Sequence, residues 1–269
     1  MAEARPLRLV LIGWGAIATR VAALLSERGT PARVVAVALR NGSVPRTPLP
    51  PGAVLIDDPA ALSDLSPDLV LEAAGREALR QWAGAALDAA PRLVVASTSA
   101  LADDAFREAL IAHAVRARSR IEITPGAIGG IDALRAASVL PVESVRHTIA
   151  KPPTAWAGTP GEAILADAPP GAVTLFRGSA REAARLYPQN ANATATTALA
   201  GIGLDRTEVE IVSDPALSRN RHVIEIDGAA GRMRVDLENA PSASNPKSSE
   251  LTALSLVRAV ENAVLPLCL

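Results

Sequence analysis

Leu7-Arg8-Leu9-Val10-Leu11-Ile12 reads as a strand, and it runs straight into Gly13-Trp14-Gly15-Ala16-Ile17-Ala18 and the helical pattern AIATRVAALLSERG. No other stretch restricts the fold as much. In a strand–loop–helix unit of this spacing the first glycine makes a tight turn and the second lets the backbone approach a pyrophosphate. The third position lets the helix pack close to the strand. Ala18 holds that third position, an accepted variant. The helix N-terminus offers free N–H groups and the positive end of its dipole to phosphates. Gly13, Trp14, Gly15, Ala16 and Ile17 are therefore expected to bind a dinucleotide. A glycine turn without a ligand has the same local sequence, so the decision rests on the downstream pattern.

That pattern alternates. The runs 33–39, 53–56, 68–73, 92–97 and 120–124 read as strands, with helical patterns at 76–90 and 103–118 between them, each carrying apolar residues on a 3.6 period. This order predicts a parallel sheet with crossover helices. After Thr124 the texture changes to more polar, alternating strands at 143–151, 172–178, 207–214, 221–228 and 231–239, the last two joined as a hairpin around DGAAG. Helices are expected at 180–186 and 192–200, lying on that sheet, and at 247–264, returning to the first domain. The fold class is α/β: a Rossmann dinucleotide-binding domain (residues 1–124 plus 246–269) and a second, mixed-sheet α/β domain (residues 125–245). A sheet with one apolar face also offers a two-fold interface, hence an expected homodimer.

The second strand ends Ala38-Leu39-Arg40-Asn41-Gly42. A site selective for NAD places an acidic residue there for the ribose 2′-hydroxyl, whereas arginine pairs with a 2′-phosphate, so NADP is expected to be accepted beside NAD. A solvated arginine is the alternative.

Composition narrows the partners. The 269 residues carry a formal net charge of -1 with both signs interspersed, which gives no footprint for nucleic acid or an anionic membrane. The N-terminus lacks a secretory pattern, and no window approaches the roughly 18 apolar residues of a membrane span. The single cysteine, Cys268, forms no intramolecular disulfide and no cysteine metal cluster, so no metal site and a reducing, cytoplasmic setting are expected. Among 27 basic residues only Lys151 and Lys247 are lysine. Against coding bias toward arginine, a retained lysine marks a place for a compact ammonium, or chance.

Three histidines are available. His113 lies inside a helical pattern and has no assigned role. His147 alternates with Val145 and Ile149 and reads as a hydrogen-bonded core or interface residue. His222 heads the strand HVIEI, beside Asn220 and downstream of Asp214-Pro215. Strand ends present catalytic groups, and imidazole suits acid–base work near neutrality. Asn190 and Asn192 stand at a helix start, as N-caps or as amide contacts to a ligand. Asn239, Asn245, Lys247 and Ser248 stand at another, as a carboxylate site or a linker.

Taken together, GWGAIA, DLVLEAAGREAL, ASTSALAD, PGAIGGIDAL, the KPP at Lys151, YPQNANATATTALAGIGLDRTEVEIVSDP, NRHVIEIDG and ENAPSASNPKSSELTALSLV resemble the L-aspartate dehydrogenase family along nearly the whole chain. The resemblance implies NAD(P)-dependent oxidation of L-aspartate to iminoaspartate, which is hydrolysed to oxaloacetate and ammonia, or the reverse reductive amination. It implies His222 as the catalytic residue, Ala127 and Asn192 as dinucleotide contacts, dimerisation through the second domain, and a place in NAD biosynthesis or aspartate catabolism. Asn245 and Lys247 are expected to hold a substrate carboxylate. Ser99 stands where the family usually has glycine, and Ala18 replaces the last glycine of the loop. Competing readings are another two-domain reductase, of the homoserine dehydrogenase or dihydrodipicolinate reductase type, and a non-catalytic NADP-sensing regulator.

Overall fold

The computed structural model describes residues 5–188, 190–242 and 245–268, the side chains of residues 245–248 excepted. The chain divides into two compact units: one ends at Thr124 and resumes at Ala253, and the other runs Pro125–Thr252.

The first unit is built from β1 (Leu7–Ile12), α1 (Ala16–Glu27), β2 (Ala32–Ala38), β3 (Val54–Ile56), α2 (Leu62–Leu65), β4 (Leu69–Glu72), α3 (Arg76–Ala89), β5 (Arg92–Val95), α4 (Asp104–Ala117) and β6 (Arg120–Ile123). All strand pairs are parallel and the order is β3-β2-β1-β4-β5-β6, the doubly wound arrangement of a Rossmann sheet. Leu9, Val10 and Leu11 are inaccessible to solvent. That is why the sequence there shows no polar alternation: both faces of this sheet are covered.

The second unit contains α5 (Ile131–Ala137), β7 (Val142–Lys151), α6 (Pro160–Ala166), β8 (Val173–Ser179), α7 (Ala180–Leu186), α8 (Ala191–Ala200), β9 (Glu208–Ser213), β10 (Asn220–Gly228), β11 (Gly231–Asn239), β12 (Pro241–Ser242) and β13 (Asn245–Ser249). Its five-stranded sheet is mixed, in the order β11-β10-β7-β9-β8, with β7 and β9 parallel and the other pairs antiparallel. One face carries Val145, His147, Ile149 and Lys151 of β7 beside Ile211 of β9 and His222, Ile224 and Ile226 of β10, all buried. Leu134 and Ile131 of α5, with Ala193 and Ala200 of α8, pack on its apolar part. Gly130 has φ +71, and a Cβ there would lie 2.5 Å from Val235 of β11, so only glycine lets α5 start this close to the sheet. The opposite face is a field of ion pairs, Arg146–Glu208, Arg177–Glu210, Arg221–Asp236 and Arg234–Glu225. The chain's own α5 and α8 pack on the apolar face.

The last helix, α9 (Glu250–Val264), inserts Leu256, Val257 and Val260 among Leu9, Leu11 and Leu24 of the first unit. Its Glu261 is buried and accepts from Arg28 Nε at 2.6 Å and Thr30 Oγ1 at 3.3 Å. The helix was expected from Lys247 but begins at Glu250, because Ser249 Oγ accepts from the N–H of Leu251 and residues 245–249 pair with β12 as a short strand. Helix α6 was not expected. Its start is nonetheless written in the sequence, with Pro160 in the first turn and Thr159 Oγ1 accepting from the N–H of Gly161. Among the described residues no helix is long and apolar enough to cross a membrane.

Candidate active site

In the first unit the loop after β1 is shaped by close contact. Gly13 has φ +97, and a Cβ there would sit 2.7 Å from the Cβ of Ala74. Gly15 is extended, with open space where its Cβ would be. No side chain caps α1, and no acidic residue occupies its first turn. Exposed amides, a positive dipole end and an open glycine surface fit the pyrophosphate of a dinucleotide. Ala16 and Ile17 belong to that first turn, and Ala18 behind them is fully buried. Trp14 Nε1 donates to the carbonyl of Thr47 at 3.1 Å, tying down the loop between β2 and β3. Arg40 lies two residues beyond β2 and is exposed.

Glu72, at the end of β4, escaped the sequence reading as a strand residue. Its carboxylate is buried and accepts four hydrogen bonds: from the amides of Ala74 and Gly75 at 2.8 and 2.9 Å, and from the amide and hydroxyl of Ser97 at 3.0 and 2.7 Å. One side chain thus fixes the loops leaving β4 and β5, at the carboxyl edge of the sheet, where open α/β sheets bind ligands.

In the second unit the register of β10 on β7 sets His222 opposite Ile149, between His147 and Lys151 on the same face. His222 Nδ1 lies 3.0 Å from His147 Nε2, and His147 Nδ1 lies 2.9 Å from Thr197 Oγ1 of α8. Both rings are buried. Burial pushes His147 down to about 3. Burial, then the neighbouring His147 and then the charge of Lys151 hold His222 well below the ordinary imidazole range. Both are therefore neutral at physiological pH, and a neutral imidazole is a proton acceptor.

Lys151 ends β7 and is 9% exposed. Its Nζ donates to Asn190 Oδ1 at 2.6 Å and stands 5.4 Å from the centre of the Trp156 ring. Burial lowers its pKa to about 8. No carboxylate pairs with it among the described residues. Tyr187 packs edge-on to Trp156 and against Phe176, so three of the chain's six Phe, Tyr and Trp residues gather here and keep water from the ammonium. Ser213, opposite Lys151 in β9, and Trp156 carry buried polar atoms without a hydrogen-bond partner among the described residues. A buried unpaired cation and orphaned polar groups each cost folding free energy, so this corner is not shaped for stability.

Of the candidates read from the sequence, His222 joins His147, Lys151, Thr197 and Asn190 in one cluster. Asn190 precedes α8, but its side chain holds Lys151 instead of capping the helix. Asn192, in the first turn of α8, is exposed. The carbonyl of Ala127 accepts from Asn239 Nδ2 at 2.7 Å. Asn245 and Lys247 lie in β13, and their side chains fall outside the described residues. His113 makes a surface pair with Asp88 at 2.7 Å. Period-2 spacing of His147, Ile149 and Lys151 was the available signal for the missed part of the cluster. Its partners came from strands and helices distant in sequence.

Residues 132–263 match the family described as aspartate dehydrogenase, C-terminal, and residues 13–124 match the homoserine dehydrogenase NAD binding domain. The L-aspartate dehydrogenase of Brucella anthropi is 51% identical over 257 residues, spanning 95% of this chain and 96% of that protein. The chain belongs to the L-aspartate dehydrogenase family. The L-aspartate dehydrogenase of Pseudomonas aeruginosa is 46% identical over 95% of this chain and 97% of that protein. The crystal structure of aspartate dehydrogenase from Thermotoga maritima has a TM-score of 0.80 at 29% identity, covering 98% of this chain and 99% of that one. Membership of the L-aspartate dehydrogenase family embraces both units and sets aside the reading as a homoserine dehydrogenase or dihydrodipicolinate reductase type.

Proposed function

We propose that this chain is an NAD(P)-dependent L-aspartate dehydrogenase, converting L-aspartate and water to oxaloacetate and ammonia with reduction of the dinucleotide, and catalysing the reverse amination. The observation that carries the reading is the pairing of a buried neutral imidazole, His222, with a buried ammonium that lacks a carboxylate, Lys151, in a chain 51% identical to an L-aspartate dehydrogenase. An anionic substrate supplies the missing charge.

When bound, the nicotinamide ring accepts hydride from the substrate Cα. The protein's own groups hold the reactants and move protons. Gly13, Trp14, Gly15, Ala16 and Ile17 bind the dinucleotide through backbone amides, with Ala127 and Asn192 as further contacts. Lys151, held by Asn190, takes one substrate carboxylate, and Asn245 with Lys247 the other. Loss of hydride from Cα of the neutral amine leaves iminoaspartate in its protonated form, with both amine protons kept on nitrogen. His222 takes a proton from the water that adds to the imine and returns it to the departing amine, a contribution of about 10²–10⁴ in rate. Arg40 meets a 2′-phosphate, so NADP is used beside NAD. The enzyme works in the cytoplasm as a homodimer and feeds iminoaspartate to NAD biosynthesis or clears aspartate.

Steady-state kinetics across L-aspartate, L-homoserine and other amino acids test the reading. The highest kcat/KM is expected for L-aspartate with either dinucleotide. A preference for another amino acid, or tight NADP binding without turnover of any, overturns it. Arg40→Asp is expected to shift the NADP to NAD ratio of kcat/KM toward NAD by about tenfold, since a carboxylate repels the 2′-phosphate and accepts from the 2′-hydroxyl. An unchanged ratio removes Arg40 from the cofactor site.

A further inference from the structure

The cluster around His222 contains more hydrogen-bonding order than an acid–base residue by itself requires, and that order has a direction. Thr197 Oγ1 lies 3.2 Å from the carbonyl oxygen of Ala193, one turn back in α8. A carbonyl only accepts, so a bond between the two takes the single hydroxyl proton of Thr197 and leaves its oxygen as an acceptor. With the hydroxyl proton on the Ala193 carbonyl, His147 Nδ1, 2.9 Å from that oxygen, carries the ring proton and donates it. A neutral imidazole holds one proton, so His147 Nε2 is bare and accepts from His222 Nδ1 at 3.0 Å. His222 has therefore spent its one proton on Nδ1.

From this chain of bonds we infer that His147 and Thr197 are positioning residues that hold His222 in the Nδ1–H tautomer, leaving Nε2 as the bare nitrogen that takes the proton from water. The inference rests on the reading of His222 as the acid–base group. Burial supports it by keeping both rings neutral, so that neither carries a second proton to blur the order. The chain has a fixed end: Ala193 is backbone within a helix, and its carbonyl cannot turn round to donate. No described residue hydrogen-bonds His222 at its other nitrogen. A ring fixed on one side only is free to act on the other, as in sites where an imidazole's second nitrogen is oriented by a partner.

The test uses the full-length enzyme with ¹⁵N-labelled histidine, of which the chain has only three. Wild-type His222 is expected to show a protonated Nδ1 and a bare Nε2 at neutral pH. Thr197→Val removes the acceptor while keeping the shape. It is expected to mix the two His222 tautomers and lower kcat at least about tenfold, with KM for L-aspartate and the Kd for NADPH within about twofold of wild type. Thr197→Ser, which keeps the hydroxyl, restores both tautomer and kcat. His147→Leu should lose kcat likewise, and His147→Gln, whose amide oxygen can accept in place of Nε2, should recover much of it. If His147→Leu does not fold, the Thr197 pair decides alone. A wild-type His222 protonated on Nε2, or Thr197→Val with unchanged kcat and tautomer, overturns the inference. His222→Ala separates it from the reading beneath it. An inactive His222→Ala beside an Nε2–H wild type leaves the acid–base role standing and removes the relay. A fully active His222→Ala removes the acid–base role whatever the tautomer.

Discussion

His222→Ala is expected to lower turnover of L-aspartate by at least ~10², while the Kd for NADPH, read by fluorescence titration, stays near that of wild type. The size reflects the role proposed for the ring: without it, the water that adds to iminoaspartate would lose its proton to solvent, in a site where His222 and its neighbours are buried. The selectivity of the defect reflects placement. His222 belongs to the sheet of the second unit, whereas the amides suited to phosphates belong to the loop after β1. Unchanged turnover would mean that another group handles the proton. The pH behaviour has a definite sign. Burial, His147 and the Lys151 charge all depress the His222 pKa, so the base form persists to acid pH and the limb due to its protonation lies well below pH 6.5. Stability shares that direction: the unfolded chain takes up the proton first, so the folded state loses ground as pH falls below the ordinary imidazole range.

Lys151→Met is expected to weaken activity and strengthen the fold at once. The lysine pKa falls from 10.5 to about 8 on burial, so below pH 8 the folded protein carries an ammonium in surroundings that disfavour it. Replacing a buried charge by an apolar side chain of similar length should therefore stabilise the protein by about 1–3 kcal/mol at pH 7, a rise in Tm that scanning calorimetry reads. The sign reverses no part of the range but fades upward: the penalty is full below pH 8 and vanishes as pH passes the ordinary lysine value. The same change removes the cation proposed to face a substrate carboxylate, and kcat/KM for L-aspartate should drop by ~10² or more. Because aspartate's own amine titrates, the pH test is better made with succinate as an inhibitor. Its affinity should decline above pH about 8 in the wild type and be weak and flat in Lys151→Met; the groups facing Lys151, His147 and His222, stay neutral across that range. A variant with lower stability and unchanged kcat/KM would make Lys151 a purely structural residue.

Most of the first unit could be read in advance because its physics is local. Unbroken apolar runs become strands covered on both faces, 3.6-period stretches become helices, and the Gly13–Ala18 loop carries its geometry in its own residues. Element ends moved by one to three residues, the most where a hydroxyl sets the helix start, as at Ser249. The second unit was legible as alternating strands and opaque as a site. His147 could be recognised as a buried, hydrogen-bonded residue of the apolar face, but its partner His222 lies 75 residues away and depends on the pairing register of β10 with β7. Lys151 stood out as one of two lysines, yet its burial and its bond to Asn190 depend on how α8 meets the sheet. Asn190 looked like a helix cap because capping is what asparagine does locally; a buried ammonium outcompeted the helix amides for its oxygen. Glu72 gave no local signal, since four donors from two loops converge on it only after folding.

The most direct measurement is the stoichiometry of the reaction with purified protein, L-aspartate and NADP or NAD, following reduced nicotinamide by absorbance and ammonia and oxaloacetate by coupled assay. One ammonia and one oxaloacetate are expected for each dinucleotide reduced. Reduction without ammonia release, or bound dinucleotide that L-aspartate never reduces, would contradict the assignment.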